Sequence, residues 1–146
     1  MSRISLAVAM LATAAFVGCS QEGPRPMQVW GQVEMDGKPI EDGKITLTPT
    51  GETPGGSCSG AISQGKYQIP SSEGPFAKGT YRVEISSLAK QGKALPNVVD
   101  PGGPSLAVYE ELVPAAYNSA STLVLTVSED SSKNEHSFQL TTKASR

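Results

Sequence analysis

The feature that most constrains this chain is an alternation of apolar and polar residues with a period of two, interrupted at short intervals by Gly, Pro or Asn. Successive side chains of a β-strand point to opposite faces, so this spacing is typical of strands with one buried face. Seven stretches share the pattern: residues 28–35, 44–49, 58–63, 66–70, 80–86, 122–127 and 134–141. They predict an all-β fold, a seven-stranded antiparallel β-sandwich.

Glycine and proline mark the connections between these strands. The chain has 15 Gly and 11 Pro in 146 residues, spread along its length, which argues against a helical bundle. The pairs 36–37 (Asp-Gly) and 64–65 (Gln-Gly) have the sequence of two-residue hairpin turns. One long connection, residues 87–120, contains several prolines, and we expect it to be irregular, with a short helical turn near residues 106–112.

The first 18 residues predict a cleaved lipoprotein signal peptide. Arg3 precedes an uncharged run of 14 residues, 4–17, which suits the apolar part of a signal peptide and is too short to span a bilayer as a helix. Residues 16–19 read FVGC and resemble the lipobox of bacterial lipoproteins, in which the cysteine, here Cys19, receives a diacylglycerol. An ordinary signal peptide with an incidental cysteine is the alternative.

This interpretation divides the chain into a signal peptide (1–18), a tether (19–27), a β-sandwich domain (28–143) and a short tail (144–146). A lipidated Cys19 would hold the domain at a membrane without spanning it, because several acyl chains together give stable attachment. In some bacteria Asp after that cysteine signals retention at the inner membrane, whereas Ser20 stands here. We therefore expect a cell-envelope location, with the outer membrane favoured.

The residue types argue against a nucleic-acid partner and against catalysis. The formal charge of −2 lacks the basic excess of a nucleic-acid-binding protein. His136 is the only histidine, and Cys58 is the only cysteine left after lipidation, which is too few for the usual zinc ligands or for a His-dependent triad. We expect His136 to face solvent and Cys58 to be a small buried residue, with a link between two chains as the alternative for Cys58.

Acidic residues gather near the first turn without the spacing of a calcium-binding loop. They are Glu34, Asp36, Glu41 and Asp42. We expect these carboxylates to be solvated, and we expect no metal, no cofactor and no catalytic residue in the chain.

Two aromatic residues are candidates for an interaction surface. Trp30, the single tryptophan, falls on the strand face opposite Val29 and Val33. If that face is open, Trp30 can stack on a sugar or on a partner protein; if it is the inner face, Trp30 belongs to the core, which is our expectation. Tyr109, in the long connection, is the second candidate.

Three stretches, in this order, resemble a known family. Residues 29–43 read VWGQVEMDGKPIEDG, residues 65–86 contain GKYQIP and GPFAKGTYRVEIS, and residues 113–125 read VPAAYNSASTLVL. With the lipobox in front, they resemble the carboxypeptidase regulatory-like, transthyretin-like domain of small lipoproteins of the planctomycete type. The resemblance implies a prealbumin-like sandwich of seven strands and does not imply an enzyme.

These observations predict a membrane-anchored envelope lipoprotein. Its non-catalytic β-sandwich would act as an accessory or interaction module for an unknown envelope protein or glycan. A structural surface-coat component that acts by self-association is the alternative, and an enzyme is the class with the least support.

Overall fold

The structure is a computed structural model that describes residues 23–91 and 108–143. The predicted signal peptide, Cys19 and the tail at 144–146 lie outside the described residues. Within the described ranges the regular structure is β-strand, apart from three single-turn 3-10 helices at Ser71–Glu73, Ala115–Tyr117 and Ser131–Lys133. The prediction of an all-β chain is confirmed. No helix in these ranges is long and apolar enough to cross a bilayer.

Ten strands follow one another along the described chain. They are β1 (Val29–Met35), β2 (Lys38–Pro39), β3 (Asp42–Pro49), β4 (Cys58–Ser63), β5 (Lys66–Ile69), β6 (Thr80–Ser86), β7 (Leu88–Gln91), β8 (Val108–Glu111), β9 (Val124–Thr126) and β10 (Phe138–Leu140). The alternation predicts β1, β3, β4, β5 and β6 to within two residues at either end. Strands β9 and β10 are shorter than predicted, because part of each alternating stretch has no continuous ladder partner.

The main sheet is curled and has the strand order β10-β1-β5-β4-β3-β6-β9, with β2 paired to the end of β1. Its neighbours are antiparallel except β1 and β10, which run parallel with Val33 opposite Phe138. The prediction of a wholly antiparallel arrangement is wrong at this pair. The chain reaches β10 through a long connection from the far edge strand β9, and such a return allows parallel pairing.

One face of the curled sheet carries the hydrophobic core. The buried apolar residues are Met27, Val29, Val33, Ile40, Ile45, Leu47, Ile62, Tyr67, Ile69, Tyr81, Val83, Ile85, Val113, Leu125, Val127 and Leu140. Most of them occupy alternate positions of their strands, as the sequence predicts. Burying one Val, Leu or Ile side chain stabilises a fold by about 1.5–3 kcal/mol, so this face fixes which side of each strand points inward.

Both predicted two-residue turns are confirmed. Asp36 and Gly37 have φ of 52° and 76°, and Gln64 and Gly65 have φ of 50° and 74°. Two consecutive left-handed residues make a type I′ turn, whose twist matches that of the strands it joins.

The long connection contains a second, two-stranded sheet. Strands β7 and β8 pair antiparallel, with Lys90 opposite Tyr109. The expected helical turn near residues 106–112 is wrong for residues 108–111, which form β8, while residues 106 and 107 lie outside the described ranges. Pairing with β7 decides the conformation here, and a local sequence pattern does not contain that information.

The folded domain begins before the predicted start at residue 28. The Met27 N–H donates to the Pro75 carbonyl at 2.8 Å, and the Ala77 N–H donates to the Arg25 carbonyl at 2.9 Å. Residues 25–27, predicted as part of a tether, therefore pack against the segment that follows β5.

Candidate binding site

Trp30 lies half-buried on the outer face of β1, away from the core. Its neighbours Val29 and Val33 are both 0% exposed on the inner face. The expectation that Trp30 packs in the core is wrong, and the open-face alternative describes its position. The alternation assigns Val29 and Trp30 to opposite faces but cannot decide between them, because both side chains are apolar.

The backbone of Trp30 is held on one edge of β1 by residues 134–136. The Trp30 N–H donates to the Asn134 carbonyl at 3.2 Å, and the His136 N–H donates to the Trp30 carbonyl at 2.8 Å. Glu135 is the bridge partner of Trp30 on this side, and Gln68 of β5 is its partner on the other. Since both backbone groups of Trp30 point toward residues 134–136, Trp30 and Gln68 form a non-hydrogen-bonded pair, in which side chains approach most closely.

The outer faces of β1, β5 and β4 form an open groove of about 580 Å³ around the indole. Its polar lining surrounds Trp30 and comprises Gln28, Gln32, Ser63, Lys66, Gln68 and Glu135. Four of these side chains stand at outward positions of neighbouring, hydrogen-bonded strands, while Gln28 precedes β1 and Glu135 bridges to Trp30. We call this feature the Trp30 groove.

The polar side chains of the Trp30 groove are not engaged with one another. Among the described residues, no hydrogen bond involves the three glutamine carboxamides, and no ion pair involves Lys66 or Glu135. Each carboxamide offers two N–H donors and one carbonyl acceptor. The groove therefore presents free donors and acceptors beside an aromatic ring, and its two charges are of opposite sign.

Asn134 positions one wall of the groove, and the sequence analysis does not identify it. Its side chain is 0% exposed. The Oδ1 atom accepts from the Ser128 N–H at 2.7 Å, and the Nδ2 atom donates to the Ser128 carbonyl at 3.1 Å. Both ends of the carboxamide are thus satisfied within a buried setting, as a buried polar group requires. An Asn beside Ser and Lys residues looks like an ordinary turn residue, so the sequence carried no usable signal.

The approach of residues 134–136 to β1 requires a glycine at position 31. A Cβ on Gly31 would overlap the His136 carbonyl oxygen. The Tyr67 hydroxyl donates to the same oxygen at 2.7 Å. Burial, with a smaller contribution from Glu135, raises the pKa of Tyr67 well above its ordinary value, so this hydroxyl keeps its proton and its hydrogen bond.

His136 does not face solvent as predicted. It is partly buried, and its Nε2 atom is buried without a hydrogen-bond partner among the described residues. Burial lowers the pKa of His136, which favours the neutral imidazole. The prediction of a solvent-facing strand position fails because His136 lies outside β10, where its N–H and carbonyl bond to Trp30 and to the Tyr67 hydroxyl.

The other residues singled out from the sequence lie apart from the groove. Cys58 is half-buried against the core and is not in a disulfide, and burial raises the pKa of its thiol, which makes it less reactive. Asp36 accepts from the Thr142 hydroxyl at 2.6 Å and the Thr142 N–H at 3.1 Å, and these hydrogen bonds lower the pKa of its carboxyl group. Across ranges 23–91 and 108–143, no three His, Cys, Asp or Glu side chains come together as a metal site.

Tyr109, the second candidate for interaction, is not part of the Trp30 groove. It lies on β8 with 59% of its surface exposed, and Leu88 and Leu112 of the same hairpin region are 58% and 45% exposed. The structure thus places the two candidate aromatic residues on separate surfaces.

Comparisons with protein-family models, with curated proteins and with solved structures returned no match to this chain. The candidate site is defined by the chain's own geometry. It combines a half-buried indole, three unengaged carboxamides and the close backbone crossing of residues 134–136 over Gly31.

Proposed function

We propose that the protein is a lipid-anchored cell-envelope protein whose β-domain binds a partner through the Trp30 groove without catalysing a reaction. The observation that carries this proposal is the position of Trp30, the only tryptophan, on the outer face of the sheet and outside the core. Covering a large aromatic side chain is energetically favourable. A partly exposed one beside free hydrogen-bonding groups therefore suits an interaction site.

The chemistry of the groove favours binding over catalysis. Its lining offers carboxamides, a hydroxyl group, one ammonium and one carboxylate. Carboxamides donate and accept hydrogen bonds but do not exchange protons near neutral pH, so they orient a ligand without acting as acid or base. His136 lies outside this lining, and burial favours its neutral form.

We further propose that the curled sheet is a sandwich of the prealbumin-like kind that the family resemblance implies. Two observations support this. Strand β1 pairs with β5 on one edge and with β10 on the other, and the inner sides of both contribute to one core. A sheet that bends around a single core in this way approaches two packed layers.

The lipid anchor is proposed from the FVGC motif at residues 16–19. The first described residues run beside Pro75 and Phe76, where β6 is about to begin. The β7–β8 hairpin starts after β6 has ended, beyond Ser86. An anchor at Cys19 would therefore hold the end of the domain opposite to this hairpin toward the membrane.

The binding role is tested by affinity capture from envelope extract. The bait is the mature chain, residues 19–146, with Cys19→Ser to keep it free of lipid. We expect it to retain a specific partner that Trp30→Ala loses and that Tyr109→Ala, a matched aromatic control on a separate surface, keeps. Equal recovery by the Trp30→Ala variant would refute the proposed site.

The anchor is tested separately on the full chain expressed in a bacterium that processes lipoproteins. Mass spectrometry of the mature protein should find a diacylglycerol-modified Cys19 at its N-terminus, and Cys19→Ser should release the protein from the membrane fraction. An unmodified N-terminus at another position contradicts the anchor but leaves the binding proposal standing.

Self-association into a surface coat is the second candidate, and the exposed Leu88, Tyr109 and Leu112 favour it. The edge strands argue against it, because β9 and β10 have three residues each and short edges pair poorly with other chains. Sedimentation of the lipid-free chain decides between the two. Assembly that rises with concentration and is lost in a Leu88→Ser, Tyr109→Ser variant would support the coat, whereas a monomer throughout supports the binding module.

A further inference from the structure

We infer that the Trp30 groove takes an uncharged oligosaccharide, with one sugar ring stacked on the indole and neighbouring hydroxyl groups bonded to the glutamine carboxamides. This inference rests on the proposed binding function and names the ligand class of the same site. It is carried by the arrangement around Trp30, by the charge of the groove and by the position of β1 inside the sheet.

The backbone that carries the indole is held on both sides. Trp30 is hydrogen-bonded through its backbone to residues 134–136, and β5 pairs with β1 on the opposite edge. A ligand that covers the indole therefore does not have to order the backbone beneath it. The C–H face of a sugar ring is apolar while its rim carries hydroxyl groups, so it matches an aromatic ring with polar surroundings.

The polar surroundings lie at distances set by strand geometry. Gln28 and Gln32 stand two residues before and after Trp30 on the same face, about 7 Å away along the strand. Gln68 stands directly across on β5, with Cβ atoms separated by about 5 Å. Each carboxamide can donate to one hydroxyl group and accept from the next, and none is engaged with another described residue.

The charges of the groove favour a neutral ligand. Lys66 stands opposite Gln32, and Glu135 stands beside Trp30. A polyanion would meet the Glu135 carboxylate next to the stacking platform, and a polycation would meet the Lys66 ammonium. An uncharged chain can hydrogen-bond to both groups without repulsion.

The position of β1 argues against an extended peptide. Peptides often dock by adding a strand to a free sheet edge, because the main-chain hydrogen bonds supply affinity. Both edges of β1 around Trp30 are occupied, by β5 on one side and by residues 134–136 on the other. A ligand must therefore bind through side chains on the face of the sheet, as a carbohydrate does.

The test uses the mature chain carrying Cys19→Ser, in which Trp30 is the only fluorescent indole. The probes are uncharged hexasaccharides of glucose, mannose and N-acetylglucosamine, with a hexamer of galacturonic acid as the acidic counterpart. We expect a saturable change in tryptophan emission with at least one uncharged probe and at least tenfold weaker binding of the acidic one.

Variants connect the signal to the groove. Gln68→Ala should weaken binding about tenfold, the effect of losing one or two hydrogen bonds. Gln139→Ala, an exposed glutamine on β10 outside the groove lining, should leave binding unchanged. Tighter binding of the acidic hexamer, or equal effects of the two variants, would overturn the inference.

The failure of this inference is distinguishable from failure of the proposed function. If no uncharged probe gives a saturable change while Trp30→Ala still abolishes capture of an envelope partner, the ligand class is wrong and the site is right. If Trp30→Ala leaves capture of the envelope partner unchanged, the binding site itself is wrong.

Discussion

Asn134 is the buried polar residue on which the geometry of the Trp30 groove depends. Its carboxamide satisfies the N–H and the carbonyl of Ser128, and its own backbone carbonyl accepts from Trp30. Asn134 therefore acts on the site by positioning the backbone that bonds to Trp30.

We predict that Asn134→Ala lowers the free energy of unfolding by about 2–3 kcal/mol, because two partly buried backbone groups of Ser128 lose their partner. Urea denaturation measures the change. Gln139→Ala, which removes an exposed carboxamide, should stay within about 0.5 kcal/mol of the parent. Equal effects of the two substitutions would show that the buried hydrogen bonds of Asn134 are not formed.

His136 gives the protein a pH dependence of stability. Burial lowers its pKa in the folded state below the ordinary value of 6.5. As the pH falls below about 6.5 the unfolded chain takes up a proton that the folded chain resists, so stability decreases toward acid. We predict that the free energy of unfolding is lower at pH 5.5 than at pH 7.5 and that His136→Gln reduces this difference. An unchanged difference in the variant would contradict the buried imidazole.

For single residues, the sequence identified the candidate interaction residue Trp30 but did not predict which side chains and backbone groups surround it. It selected Trp30 and assigned it to the face opposite Val33, but it expected core packing although the polar Gln28 and Gln32 share the face of Trp30. It placed His136 in a strand and expected solvent there. The carbonyl that bonds to the Tyr67 hydroxyl, and the glycine that permits the crossing, depend on pairing between distant segments.

Among the elements, the Glu111 carboxylate joins the β7–β8 hairpin to the end of β6. Glu111 accepts from the Ser86 hydroxyl, from the Ser87 N–H at 2.8 Å, from the Val113 N–H at 3.0 Å and from Asn118 Nδ2 at 2.9 Å. These bonds join the end of β8 to the end of β6 and to the turn at Ala115–Tyr117. Burial raises the pKa of Glu111, but the four hydrogen bonds outweigh it and hold that pKa below its ordinary value.

We predict that Glu111→Ala loosens the hairpin selectively. A carboxylate with a lowered pKa stabilises the fold above its ordinary pKa, and this contribution disappears as the pH falls through the folded-state value. Amide hydrogen exchange should therefore accelerate in β7 and β8 in the variant at neutral pH, while β3 and β4 exchange as in the parent. Uniform acceleration of exchange across all strands would mean that Glu111 stabilises the whole domain and does not specifically attach the hairpin.

The elements that the sequence failed to predict share a physical cause. Strands β7 and β8 flank a Pro- and Gly-rich stretch, which hides the hairpin, and β2 is only two residues long. The parallel pairing of β10 with β1 joins residues more than 100 positions apart. Alternation identifies a half-buried strand, yet it contains no information about which strand lies beside it.

In the whole molecule, the described N-terminal residues, the groove and the hairpin occupy different places. The described N-terminal residues pack beside Phe76, the hairpin follows the opposite end of β6, and the Trp30 groove lies on the outer faces of β1, β4 and β5. A domain held through Cys19 would keep this side face accessible to polymers that run along the envelope. The all-β class of the molecule followed from the alternation alone, whereas this arrangement required the strand order.

The outer face around Trp30 is the proposed binding surface. Nuclear magnetic resonance of the ¹⁵N-labelled mature chain with Cys19→Ser, titrated with the envelope fraction captured in the pull-down, tests this. The single indole N–H resonance identifies Trp30 without further assignment. We predict that this resonance and the backbone amides of β1, β4 and β5 shift together, while those of β7 and β8 do not. Shifts confined to β7 and β8, with the indole resonance unmoved, would show that the partner does not bind at the Trp30 groove.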